Sequence, residues 1–278
     1  MISVVVPAHN EQRVVGRLLT KLLEHAEPGE LNVVVVANGC TDATAQVAQG
    51  FAGVRVIETP VPSKSNALRL GDDAAHGFPR LYVDADVELT THAARALSAA
   101  VSQPGTLAAG PVRTLPMHAV DPRVRWYYDV WQRLPAVRDE LFGRGVVAVS
   151  ESGHERLADW ADVMSDDLLL AMSFGPGERV VVPEAEVVIH PPRTYADLVR
   201  RRVRAMTGNA RLAHAAPPHL RRPPRTGLRE LAQLAGREPA LTPKVAFFAV
   251  VAVVSRLRAR RALRTDDHTW LRDESSRA

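Results

Sequence analysis

The chain has 278 residues, 46% of them hydrophobic and 24% charged, a composition that supports one large core or two modest ones and excludes fibrous and disordered classes. Cys40 is the sole cysteine, so an internal disulfide is excluded and redox chemistry has no support. The net charge of +4 is unevenly spread: arginines gather in the C-terminal half, at Arg200, Arg201, Arg202 and Arg204, at Arg221, Arg222 and Arg225, and from Arg256 to Arg264, which implies an anionic partner.

Strand-like sequence begins at Ile2 with no charged, apolar and cleavable leader before it, so a cytoplasmic location is expected. Short Val/Ile/Leu runs predict strands over residues 2–6, 31–37, 54–57, 81–84 and 107–110. Between them, Leu18, Leu19, Leu22 and Leu23 keep helical spacing, and residues 41–48 and 63–75 each open with a hydroxyl residue suited to capping a helix. Strands separated by helices predict an α/β fold with a mostly parallel central sheet flanked by helices. Ligands of such sheets bind beyond the carboxyl ends of the strands. Residues 7–11, 38–42 and 84–86 all fall at strand exits, so three features converge on one rim.

The second half is less regular. Residues 123–138 predict a helix whose Trp126, Tyr127, Val130, Trp131 and Leu134 read mostly as core, with sugar stacking by Trp126 or Trp131 as the other reading. Gly143-Arg144-Gly145 introduces a strand over 146–149, followed by helix character over 151–159. Residues 179–182 and 187–189 resemble a hairpin pair, which Pro183 and Pro191-Pro192 confine to short or edge positions. Pro217-Pro218 and Pro223-Pro224 mark a linker. Residues 245–254 form an unbroken apolar decamer, short of the roughly 20 residues that cross a bilayer. It predicts a helix packed on the core, or one making a peripheral membrane contact over 245–264 with its arginines toward anionic lipid. A nucleic-acid partner is not expected, because no stacking aromatics interleave with the arginines.

Asp84 and Asp86 project from the end of the run Leu81-Tyr82-Val83, one residue apart. Paired oxygen ligands suit Mg2+ or Mn2+, which keep waters and are completed by a substrate's phosphate oxygens. The alternative is a helix-capping acid followed by a solvated one. Lys64 stands out because Lys21 and Lys244 are the only other lysines in a chain that otherwise uses arginine.

Taken in order, Pro7-Ala8-His9-Asn10-Glu11, Asn38-Gly39-Cys40-Thr41-Asp42, Lys64-Ser65-Asn66-Ala67-Leu68, Asp84-Ala85-Asp86, Asp166-Asp167 and Arg201-x-x-Arg204 resemble the motif series of family 2 glycosyltransferases over residues 2–210. The resemblance implies a GT-A (Rossmann-like) fold with a C-terminal helical extension. It divides the chain into a nucleotide-sugar-binding half (1–112), an acceptor and catalytic half of the same domain (113–215), and a Pro/Arg-rich linker with a C-terminal helix and tail (216–278).

It also implies an inverting, metal-dependent, non-processive hexosyl transfer from a nucleoside diphosphate sugar, UDP-linked by preference, to a hydroxyl of a small-molecule or lipid-linked acceptor. Glu11 would meet the nucleotide, with Pro7 fixing the turn. Asn38 and Asp42 fall in the second-strand motif, where Ala37 and Asn38 replace a pair of acids and Cys40 replaces a serine; an amide both accepts and donates, so this position discriminates less than a carboxylate and leaves guanosine open beside uridine. Lys64 would lie near the nucleotide. Asp86 is the direct metal ligand, Asp84 points to ribose or a metal-bound water, and His190 is a further candidate ligand. Asp167 is the candidate general base, Asp166 its acidic neighbour, and Arg204 the grip on the diphosphate. Arg201 and Ala205 stand where polymerising members carry glutamine and tryptophan, which argues against a processive synthase. The alternatives are a nucleotidyltransferase, disfavoured by the lack of a Gly-rich first loop, and an inactive nucleotide- or membrane-binding relative; for the cytoplasmic chain itself, association with the inner membrane face is a further expectation.

Overall fold

The β-branched run of the first strand, β1 (Ile2–Ala8), is buried on both faces: Val4 and Val6 belong to the core on one side of the sheet, Val5 to the core on the other. The computed structural model describes residues 1–157, 169, 172–215, 226–265 and 276. They fall into two units. The first is drawn from Met1–Leu115 and Leu141–His190, the second from Pro116–Glu140 and the described parts of Pro191–Pro217 and Arg222–Ala278.

In the first unit β1 pairs in parallel with β2 (Leu31–Asn38) and β4 (Arg80–Val83), and β2 in parallel with β3 (Val54–Thr59). Beyond β4 the sheet becomes mixed. Strand β7 (Val146–Val149) runs antiparallel to β4 and to β6 (Ala108–Thr114), β6 is parallel to β8 (Arg179–Ile189), and β5 (Val87–Leu89) is antiparallel to β8. Among the described residues the sheet therefore has eight strands in the order β3-β2-β1-β4-β7-β6-β8-β5. The α/β architecture agrees with the sequence, and the parallel arrangement holds for β3-β2-β1-β4.

Helix α1 (Val15–Leu23) and helix α4 (Thr91–Val101) cover one face of this sheet and α3 (Lys64–Ala74) the other. Leu18, Leu19 and Leu22 of α1 are fully buried, each stabilising the fold by about 1.5–3 kcal/mol relative to an exposed side chain. The Ser63 hydroxyl caps α3 by accepting from Asn66 N at 3.2 Å, as the sequence suggests. Thr41 caps nothing: α2 (Thr44–Gln49) starts later, and Asp42 Oδ1 accepts from Thr44 N at 3.1 Å.

Several expectations are corrected. Residues 179–182 and 187–189 are one strand rather than a hairpin, because the three residues from Pro183 to Ala185 are absorbed at a shift of register: Pro111 faces Val182, and Val112 faces Glu186. A bulge leaves Pro183 no ladder bond to supply. Residues 123–138 split into α5 (Pro122–Trp131) and α6 (Pro135–Arg138), since Leu134, held extended ahead of Pro135, cannot continue a helix. Tyr127, Val130 and Leu134 are buried as expected, but Trp126 is 42% exposed. Helix α7 (Glu151–Glu155), capped by Ser150, ends before the expected 159.

The second unit is helical where described: α5, α6, α8 (Tyr195–Ala215), α9 (Leu228–Arg237) and α10 (Thr242–Arg264), with a 3-10 turn at Pro239–Leu241. The apolar decamer is less than half of α10, a helix of 23 residues. Over Pro239–Arg264 the segment is long and apolar enough, by length and composition alone, to cross a membrane. One face of α10, with Val245, Phe248, Val251, Ser255 and Ala259, is buried against α5 and α8. The rings of Tyr127 and Phe248 stack there at 4.8 Å.

Candidate functional site

The loops after β1 and β2 are laced together. Asn10, in the left-handed region at φ 55°, accepts through Oδ1 from Thr41 N at 2.7 Å. Glu11 N donates to Thr44 Oγ1 at 2.7 Å, and Gln12 Oε1 accepts from Ala43 N at 2.9 Å. Asn38 is buried; its Nδ2 donates to Ala8 O at 2.9 Å and Val36 O at 3.4 Å, while its main-chain oxygen lies 2.6 Å from His9 Nδ1. Gly39 is required by its setting: at φ 57° a Cβ would lie 2.7 Å from Pro62 Cβ. Pro7 lies beyond the last β1–β4 register pair, Val5 with Tyr82, where its missing N–H costs that pairing nothing.

Beside these loops, β4 delivers Asp84. Its N–H donates to Gly145 O at 2.8 Å, and Gly145 sits at φ 65°, where a Cβ would meet Val87 Cγ1 at 2.6 Å. Lys64, the first residue of α3, places Nζ 2.6 Å from Asp84 Oδ1. Asp86 lies in the turn between β4 and β5, and its carbonyl oxygen accepts from Arg17 Nη2 at 3.4 Å. Glu88 joins two elements: its Oε1 is 3.2 Å from Arg17 Nε and 2.7 Å from His190 Nε2.

On the same, α3-covered face of β4 the side chain of Tyr82 anchors the strand. Its hydroxyl lies 2.9 Å from Asp72 Oδ1 and 3.0 Å from His154 Nδ1, and Arg80 Nη1 donates to Asp72 Oδ1 at 2.8 Å. Burial, reinforced by the Asp72 charge, pushes the Tyr82 hydroxyl far above its ordinary value, and burial lowers His154. The strand that presents Asp84 is thus tied to α3 and α7 two residues upstream.

The structure brings together Pro7, Glu11, Asn38, Asp42, Lys64, Asp84 and Asp86 along neighbouring strand exits of one unit. Asp42 also accepts from Thr44 N, the first residue of α2, two positions ahead of it. His190 is hydrogen-bonded to Glu88, and among the described residues no three His, Cys, Asp or Glu side chains form a group ready to hold a metal. Arg204 lies on α8 in the second unit, with its backbone oxygen accepting from Thr207 Oγ1 at 2.9 Å. Asp166 and Asp167 lie outside the described residues. Sequence reasoning missed Arg17 and Glu88. Asp84, Asp86 and Glu88 repeat at every second residue, and that spacing was the available signal for Glu88.

A dolichyl-phosphate beta-glucosyltransferase from Drosophila melanogaster is 36% identical over 99 residues, which span 31% of this chain and 30% of the relative. A mannosyltransferase from Pyrobaculum calidifontis, solved in complex with GDP-Man and Mn2+, shares the fold at a TM-score of 0.60 and 22% identity, over 99% of this chain and 84% of its own. Glucosyl-3-phosphoglycerate synthase from Mycobacterium tuberculosis, solved with Mn2+, UDP and phosphoglyceric acid, shares it at 0.54 and 18% identity, over 78% of this chain and 79% of its own. The expected GT-A fold is therefore the observed one. The model of the family described as glycosyl transferase family 2 matches residues 3–145, a stretch that contains both laced loops, Lys64 and the Asp84–Asp86 turn, and the chain belongs to that family of glycosyltransferases.

Proposed function

We propose that the chain transfers a sugar, with inversion at the anomeric carbon, from a nucleoside diphosphate sugar to a hydroxyl of a small-molecule or lipid-linked acceptor, one sugar per encounter. The observation that carries this reading is the placement of Asp84, Asp86 and Lys64 at the carboxyl ends of the parallel strands, with the Lys64 ammonium 2.6 Å from Asp84 Oδ1. Two carboxylates at a strand exit are a hard oxygen donor set that fits Mg2+ or Mn2+. Asp86 would hold the ion, Asp84 would face the ribose or a metal-bound water, and His190 could join by leaving Glu88. When bound, the ion supplies positive charge to the departing diphosphate. The neighbours solved with Mn2+ and GDP-Man or UDP support a donor of this class.

Lys64 adds a compact point charge for phosphate oxygens, and Arg204 a planar fork that can bind them bidentately. Glu11 takes a nucleotide hydroxyl or base edge, Pro7 fixes the turn, and Asp42 holds the second loop. Asn38 bears on the base. Its Nδ2 is committed to Ala8 O and Val36 O, which leaves Oδ1 as an acceptor suited to uracil N3–H, so we assign a UDP-linked donor. Asp167, with Asp166 beside it, takes the acceptor's proton as its oxygen attacks. The active enzyme works in the cytoplasm, at the inner membrane face when its acceptor is lipid-linked.

The test is product release. Purified chain incubated with a panel of UDP-sugars and Mn2+ is expected to liberate UDP, faster with a hydroxyl acceptor and not at all with EDTA. Release of pyrophosphate, or UDP release indifferent to chelation, contradicts the assignment.

A further inference from the structure

We infer that the outer face of α10, together with Trp126, is a docking surface for an anionic lipid bilayer. Val250, Val253 and Leu257 are 56%, 56% and 59% exposed, and their spacing of three and four places them in one stripe along the helix. The stripe lies opposite the face that Val245, Phe248, Val251, Ser255 and Ala259 bury against α5 and α8. Trp126 of α5, 42% exposed, meets the Phe247 ring edge-on at 6.3 Å and extends the apolar patch sideways. Toward the helix end the same stripe continues as exposed Arg260, Arg261 and Arg264.

Charge decides the occupant. Apolar side chains with an amphipathic Trp beside them, followed on the same face by arginines, match the order of hydrocarbon, interface and anionic headgroup met by a helix lying in a membrane surface. Among the described residues, Asp129 is engaged by Lys244 at 2.5 Å and Glu238 by Arg133 at 3.3 Å. Although α10 has the length and composition to span a bilayer, spanning would carry its packed partner α8 into hydrocarbon. Arg200, Arg201, Arg202 and Arg204 on α8 make that costly. The helix therefore lies on the membrane with its partners above it.

The test reads vesicle binding and needs no turnover, so its outcome is separate from that of the glycosyl-transfer assay. Full-length chain is mixed with vesicles of phosphatidylcholine alone or with a third phosphatidylglycerol, then sedimented. Binding to the anionic vesicles, loss in 1 M salt, and reversal by alkaline carbonate are expected. Arg260→Glu/Arg261→Glu should weaken binding by about tenfold or more, and Val253→Glu/Leu257→Glu should abolish it while leaving circular dichroism and UDP binding unchanged. Equal binding to both vesicle types overturns the proposal. So does retention through carbonate, which marks a spanning helix. Dimerisation of the parent that Val253→Glu/Leu257→Glu abolishes, without vesicle binding, overturns it in favour of a second copy as the occupant.

Discussion

Lys64 Nζ lies 2.6 Å from Asp84 Oδ1, an ion pair between the first turn of α3 and the residue after β4. The two side chains are 25% and 39% exposed, and pairs this open contribute only about 0–1 kcal/mol to stability. Lys64→Met is therefore expected to leave the unfolding free energy within about 1 kcal/mol of the parent. Turnover of a UDP-sugar should fall by about 10²-fold, the scale of losing one preorganised charge donor. Urea denaturation beside UDP-release kinetics checks both halves. Full activity in Lys64→Met would show that the pair is a surface feature only.

Asn38→Asp restores the acid of the family motif at a position where this chain has no room for one. The carboxylate would present an oxygen to Ala8 O and Val36 O, which now accept from Nδ2 at 2.9 and 3.4 Å. Replacing a buried amide donor by an oxygen that faces those carbonyls costs about 1–3 kcal/mol, even though Cys40 Sγ still donates to Ala8 O at 3.4 Å. The urea midpoint of Asn38→Asp should drop accordingly, and a variant as stable as the parent would show that Nδ2 does not face those carbonyls.

Asp167→Asn tests the base. Removing general-base assistance should lower kcat by about 10²- to 10⁴-fold, while calorimetry finds UDP affinity unchanged. Unaltered kcat with a genuine donor and acceptor would remove Asp167 from the reaction.

Acid stability has an identifiable contributor far from the site. Hydrogen bonds from Arg95 at 2.5 and 2.8 Å, aided by the Glu27 N–H, hold Glu30 at about 2 against an ordinary value of 4.5. A carboxyl whose folded pKa is depressed adds stability above its unfolded value, and that contribution disappears as pH falls through the window from 4.5 to about 2. Thermal melts of Glu30→Gln should decline less steeply over that window than the parent's. Parallel curves would indicate that the pair does not form in solution.

The parallel half of the sheet was legible because Val4, Val34 and Leu81 sit in unbroken apolar runs, the mark of strands covered on both faces. Strand β5 was not, since Val87–Leu89 is too short to show a period. Strand β8 was misread because Pro183 looks like a break until a partner strand accommodates the bulge. The length of α10 was hidden by the change from valine to arginine near Ser255, although arginine is a good helix former and the helix runs on to Arg264. The strand-exit acids and Lys64 could be picked out singly. Their meeting could not, because Lys64 and Asp84 are joined by the register of α3 and β4 rather than by local spacing. Gly145, which fixes Asp84, belongs to a segment 61 residues further along the chain, brought beside β4 by antiparallel pairing.

Calorimetric titration of UDP into the purified chain, with Mn2+ and then with EDTA, tests the proposed metal-diphosphate site most directly. Binding should require Mn2+ and vanish in Asp84→Asn/Asp86→Asn at unchanged thermal stability. UDP binding of equal affinity with and without the metal, retained in that double variant, would contradict a site built on these two carboxylates.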